Sequence, residues 1–125
     1  QIVKGWYENG ALKELIFDVA CSDGDKPDSI THRCPKISSE VNLNDCSIDS
    51  EKGSNQLATV WSDPNFDPSQ DAFYYARVLE VYSCRWTTWD ALRNEWPLLD
   101  NVPATIQERA WSSPIWYKKK RNSSN

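Results

Sequence analysis

Asp63, Asn65, Asp67 and Asp71 place oxygen ligands at spaced positions across the turn Asp63-Pro64-Asn65-Phe66-Asp67 and just beyond it, a pattern able to wrap a hard cation such as calcium. The same stretch departs from a helix-loop-helix calcium loop at two places. Pro68 stands where the turn glycine belongs, and Tyr74 where a bidentate Glu belongs. Asp-Pro turns also arise for backbone reasons, with Asp accepting from local N–H groups while Pro fixes φ. Calcium is therefore one reading of the four residues and a plain turn the other. The acidic loop Asp23-Gly24-Asp25-Lys26-Pro27-Asp28 carries less of the pattern.

Other catalytic chemistries find few residues to use. His32 is the single histidine and sits in a polar loop, where an exposed side chain is the plain expectation. No Gly-x-Ser-x-Gly elbow accompanies it, and four glycines in all are too few for a phosphate-cradling loop or a dinucleotide fingerprint. Eighteen acidic residues could in principle supply a glycosidase pair, but abundance is no evidence of two carboxylates facing one cleft. Glu80 near Arg77 and Glu108 beside Arg109 read more simply as ion pairs or sheet-face residues.

The four cysteines, Cys21, Cys34, Cys46 and Cys84, lack the two-residue gap of a zinc knuckle or a redox motif, and one histidine is a poor complement for a structural zinc site. Two disulfides are expected, and with them an oxidising, extracytoplasmic compartment: secreted or periplasmic. Three pairings are open. Joining Cys21 to Cys34 and Cys46 to Cys84 is the one that keeps the loops separate.

Seven tryptophans are many for 125 residues. Each indole needs burial and a partner for its N–H, so in a modest domain some must lie at a surface. Trp86, Trp89, Trp96, Trp111 and Trp116 are the candidates for an interface or for ligand stacking, and Trp86 with Trp89, next to Arg85, forms the best pair for a sugar platform.

The elements that must position these residues are mostly strands. Residues 1–7 and 12–21 flank Glu8-Asn9-Gly10-Ala11, and Asn-Gly is a strong hairpin signal. Residues 22–55 form a long turn-rich excursion, with isolated apolar positions at Ile37, Val41, Leu43 and Ile48, which the cysteines must tie down. Residues 56–61 resume as a strand. Residues 71–82 form the longest β-prone stretch, nearly apolar on both faces and so expected at the centre, between layers. A short helix is expected over 88–95, capped by Thr87 or Thr88. Residues 108–117 close the fold as an edge or bulged strand because of Pro114. The fold class is mainly β: an antiparallel β-sandwich-like domain over 1–117, with a long disulfide-tied loop, at most one short helix, and a basic tail over 118–125.

Composition narrows the partners. The net charge is −4, yet Lys118, Lys119, Lys120 and Arg121 contribute +4, leaving −8 on the remainder. An acidic body with a terminal basic tag argues against nucleic acid, which needs a basic stripe across the fold. No apolar run is long enough for a transmembrane segment. Asn122-Ser123-Ser124 is formally a glycosylation acceptor in a secreted eukaryotic chain.

An ordered series of blocks carries a family resemblance: Gln1-Ile-Val-Lys-Gly-Trp6, Phe17-Asp-Val-Ala-Cys-Ser-Asp-Gly24, Thr31-His-Arg-Cys-Pro35, Val60-Trp-Ser-Asp-Pro-Asn-Phe-Asp-Pro68, Ala72-Phe-Tyr-Tyr-Ala-Arg-Val-Leu-Glu80, Cys84-Arg-Trp-Thr-Thr-Trp-Asp-Ala91, and the run from Pro103 to Tyr117. Over about residues 1–117 the chain resembles the carboxy-terminal region of the bacterial domain-of-unknown-function 3604 proteins. The resemblance implies a longer exported parent, similar upstream to metal-dependent hydrolases of the polymerase-and-histidinol-phosphatase type. Their metal-binding His and Asp clusters lie outside this chain, so divalent metal is expected only there, and no catalytic residue is assigned here. The expected role is a non-catalytic accessory domain that docks on the remainder of the parent through aromatic surface. The alternatives are a structural subunit that associates with copies of itself and a carbohydrate-binding module.

Overall fold

The computed structural model describes residues 1–36 and 40–120. In chain order its elements are β1 (Ile2–Glu8), β2 (Ala11–Phe17), β3 (Ala72–Leu79), β4 (Ser83–Cys84), α1 (Trp86–Asn94), β5 (Thr105–Ile106), β6 (Arg109–Trp111) and β7 (Ile115–Tyr117). The fold is mainly β, with antiparallel sheets, two disulfides and one short helix. Ile37, the Asn122 acceptor and the end of the basic tail lie outside the described residues.

β1 and β2 form the expected hairpin, paired from Ile2 with Phe17 to Glu8 with Ala11. Asn9 and Gly10 both have positive φ, 50° and 80°, as a two-residue turn matching the strand twist requires. β2 ends at Phe17 instead of running to Cys21. The Asp18 N–H donates to the His32 carbonyl, and the Asp18 carboxylate accepts from the Cys34 N–H and the Gln1 Nε2. The chain therefore turns out of the sheet toward the Cys21–Cys34 disulfide.

β3 is central. Ala72–Ala76 pairs with β1, and its other edge holds β7 along Ala72–Tyr74 and β6 along Arg77–Leu79. The expected closing strand is thus split around Pro114, which has no N–H to give to a ladder. Ser112 bridges the break: its N–H donates to the Ala76 carbonyl and its Oγ accepts from the Ala76 N–H. Although β3 is central, only its Ala72 is buried; neither face is sealed along its length.

Side-chain alternation divides the sheet cleanly. Ile2, Lys4 and Trp6 share one face with Phe17, Leu15, Tyr74 and Ile115. Val3 and Gly5 share the other with Phe73, Tyr75, Arg77 and Trp116. On that second face the Phe73 ring lies directly over Gly5, where a Cβ would clash with the ring. Phe73 and Tyr75 are nearly parallel, 9° apart, with centroids 6.4 Å apart.

Residues 56–61, expected as a strand, form none. Instead of pairing along an edge, the chain crosses the first face, where the Trp61 ring packs on Phe17 at 5.0 Å and Asp63 meets Lys4. α1 starts at Trp86 with Arg85 as N-cap and no side-chain cap, not at Thr87 or Thr88. Thr88 is buried inside it, and its hydroxyl donates to the Ala104 carbonyl, tying the helix to the β4–β5 ribbon. Glu95 ends it in the left-handed region, and the Trp96 N–H closes back on the Ala91 carbonyl. Cys46–Cys84 anchors the long loop to the same ribbon.

The buried apolar core is small: Val3, Phe17, Ala72, Ala91 and the half-cystines Cys46 and Cys84. The chain exposes 9863 Å², whereas a compact monomer of its 14.4 kDa would expose about 6,800 Å². Trp86, Trp96, Trp111 and Trp116 are each more than half exposed.

Candidate functional site

The most organised polar cluster sits where the 61–70 segment meets the sheet. Lys4 and Asp63 are buried together, with side chains 3% and 6% exposed and Nζ 2.6 Å from Oδ2. Lys4 also donates to the Asn65 carbonyl at 2.6 Å, and the Tyr74 hydroxyl donates to Asp63 Oδ2 at 2.8 Å. Asp63 Oδ1 accepts from the Asn65 N–H, so both carboxylate oxygens are occupied. The ammonium lies 5.3 Å and 5.8 Å from the Trp6 and Tyr74 ring centroids. Burial pushes the Asp63 carboxyl up, but the hydrogen bonds from Lys4, Tyr74 and Asn65 and the Lys4 charge outweigh it and hold it below the usual carboxylate range. Burial and the adjacent Asp63 carboxylate push the Tyr74 phenol well above its ordinary value. With both carboxylate oxygens, the Tyr74 hydroxyl proton and two of the three ammonium protons engaged, the cluster acts as a clasp for the loop.

The four residues of the calcium reading are dispersed by these contacts. Asp63 has a lysine ammonium where the cation would sit, and Asn65 turns its carbonyl to the same lysine. Asp67 Oδ1 accepts from the Ser69 hydroxyl and N–H, which lower its pKa, and Asp71 accepts from the Lys119 N–H. Among the described residues no group of three or more His, Cys, Asp or Glu side chains is arranged to hold a metal ion. His32 is half-buried, not exposed: its ring is 5.6 Å from Phe17 and its φ is 53°. Of the two readings of Glu80 and Glu108, the ion pairs with Arg77 and Arg109 do not form among the described residues; Arg77 Nε donates to Gln1 Oε1 instead.

The five tryptophans do not make one platform. Trp86 and Trp89 lie on α1, Trp86 71% exposed and Trp89 beside Arg93, with the guanidinium 5.4 Å from the Trp89 ring centroid. Trp96 is exposed after the helix. Trp116, 63% exposed, touches Phe73 at 5.3 Å and, with Trp61, Phe66, Tyr74 and Ile115, lines an apolar groove of about 510 Å³ above the Lys4–Asp63 clasp. Trp111, 60% exposed, lines a separate groove of about 450 Å³ with Tyr82, Arg85, Gln107, Glu108 and Arg109.

The family described as Protein of unknown function (DUF3604) matches residues 1–119. The chain belongs to this family. No curated protein and no solved structure matches it. The DUF3604 description carries no activity, so the roles of individual residues rest on geometry.

Lys4, Tyr74, Trp61 and Phe66 are site residues that sequence reasoning missed. One signal was available: Lys4 shares a strand face with Ile2 and Trp6, and a charge among inward apolar positions asks for a buried partner. The two disulfides fit an oxidising, extracytoplasmic environment. Among the described residues no helix is long and apolar enough to cross a membrane.

Proposed function

We propose that this chain is a non-catalytic accessory β-domain, the carboxy-terminal region of an exported bacterial protein resembling metal-dependent hydrolases. It docks on the catalytic part through its aromatic surface. The carrying observation is that Trp111 and Trp116 face solvent, 60% and 63% exposed, with Trp116 against Phe73 of the Phe73–Tyr75 tile. Exposed tryptophans are favoured anchors of protein interfaces. The engaged state of Lys4, Asp63 and Tyr74 supports the non-catalytic part of the reading, because a general acid or base must be able to reach substrate.

The test cleaves the longer parent at an engineered protease site ahead of this region and follows the products by size exclusion. The fragment is expected to stay with the catalytic part, and Trp116→Glu to release it. Clean separation of the unmutated halves would sink the docking reading. Metal-dependent phosphoester or sulfoester turnover by this chain alone, abolished by chelator, would sink the non-catalytic one.

Self-association is the second reading. It is favoured by β2, an edge strand whose first five residues are exposed. Concentration-dependent dimerisation without the rest of the parent would select it.

A further inference from the structure

We propose that the groove between the β4–β5 ribbon and β6 binds an acidic saccharide: a sugar ring bearing a carboxylate or a sulfate. This goes beyond the docking role, and it relocates the sugar platform from Trp86 and Trp89 to Trp111. The walls are aromatic. Trp111 and Tyr82 are both well exposed at the groove, offering faces on which the apolar C–H side of a sugar ring can lie.

Two arginines from different elements also line the groove, Arg85 as the N-cap of α1 and Arg109 on β6. Among the described residues neither forms an ion pair. Arg85 Nε donates to the Pro103 carbonyl at 3.1 Å, which orients the guanidinium and leaves its terminal amino groups for an oxyanion. Arg109 and Trp111 are two apart on one strand and so share a face, placing a cation beside the indole.

The remaining groove residues separate a saccharide from other anions. Gln107 Nε2 is committed to the Glu80 carbonyl at 3.0 Å, leaving its Oε1 to accept from a hydroxyl. Glu108 adds a carboxylate acceptor, and Thr105 a hydroxyl. Hydroxyl-rich ligands satisfy such acceptors, which a bare anion without hydroxyl donors does not. The backbone beneath is held in place by the Ser83–Ile106 and Cys84–Thr105 pairing, by the Arg85 N–H on the Ala104 carbonyl and by the Cys46–Cys84 disulfide.

The experiment is calorimetric titration of the full chain with trigalacturonate, a sulfated galactotriose and unmodified galactotriose. At least one acidic trimer is expected to bind at least about tenfold more tightly than the neutral one, since charge-assisted pairing to arginine is the discriminating contact. The preferred acid identifies the anion. Trp111→Ala and Arg109→Gln should each weaken binding by about tenfold or more with unchanged circular dichroism, while Trp86→Ala should not. Because Arg109 is exposed, its variant keeps the test valid if Trp111→Ala fails to fold. Equal or absent binding of acidic and neutral trimers, or binding indifferent to Arg109→Gln, overturns the proposal; either result leaves the docking experiment untouched.

Discussion

Lys4→Met tests whether the loop over the sheet is held by a buried ion pair. The substitution keeps most of the aliphatic stem and removes one charge. Asp63 then remains 6% exposed with the Tyr74 and Asn65 donors but no counter-ion, and the Asn65 carbonyl loses its donor. Breaking a buried pair from one side costs about 3–5 kcal/mol. For a chain of this size that corresponds to a fall in Tm on the order of 10–20 °C. Replacing both charges with apolar groups, Lys4→Met with Asp63→Leu, removes the stranded carboxylate. It should recover much of the loss, short of about 1–3 kcal/mol for the Tyr74 hydroxyl and Asn65 groups left without partners. Urea titration followed by tryptophan fluorescence measures all four corners of the cycle, and Trp61 reports on the loop directly. A Lys4→Met penalty below about 1 kcal/mol, in the range of a surface pair, would refute the clasp. So would a double variant whose loss equals the sum of the singles, since residues in contact should couple.

The same clasp sets a pH window. Asp63 has its folded pKa depressed below 3.8, so its contribution is complete above the unfolded value and is lost as pH falls through the folded one; Asp63→Asn should flatten that acid limb of thermal melts. Tyr74 has its folded pKa raised above 10.0, so its contribution is complete below that value and declines as pH rises beyond it; Tyr74→Phe should remove this alkaline loss. Gly5→Ala drives a Cβ into the Phe73 ring and should cost about 1–3 kcal/mol by overpacking. Phe73→Leu in the same chain should relieve part of that cost, as thermal unfolding of the single and double variants will check.

Local chemistry explains what could be read early. Asn9-Gly10 specifies its turn because both residues tolerate positive φ, and the β-prone run around Ala72–Leu79 identifies the central strand. Pro114 points to an edge or bulged strand, and the structure goes further by breaking the segment into β6 and β7. The 56–61 segment misled because β-propensity describes fit to a pleated surface, and here Trp61 packs on Phe17 across the sheet face instead of extending an edge. α1 begins earlier than its threonines indicated because Thr88 is used inward, on the Ala104 carbonyl, instead of as a cap.

The sequence by itself determined a mainly β antiparallel fold with one short helix, cysteines suited to two disulfides, and an acidic body crowded with tryptophan. These follow from residue type and from periods of two residues, which act over short stretches of chain. Only the tertiary structure decided that Lys4 would neutralise Asp63, 59 residues away, and thereby fill the place offered to calcium. It also decided that Trp111 and Trp116 would line different grooves although they lie on neighbouring segments of one interrupted strand. Long-range pairing depends on which faces meet, and no local pattern carries that information.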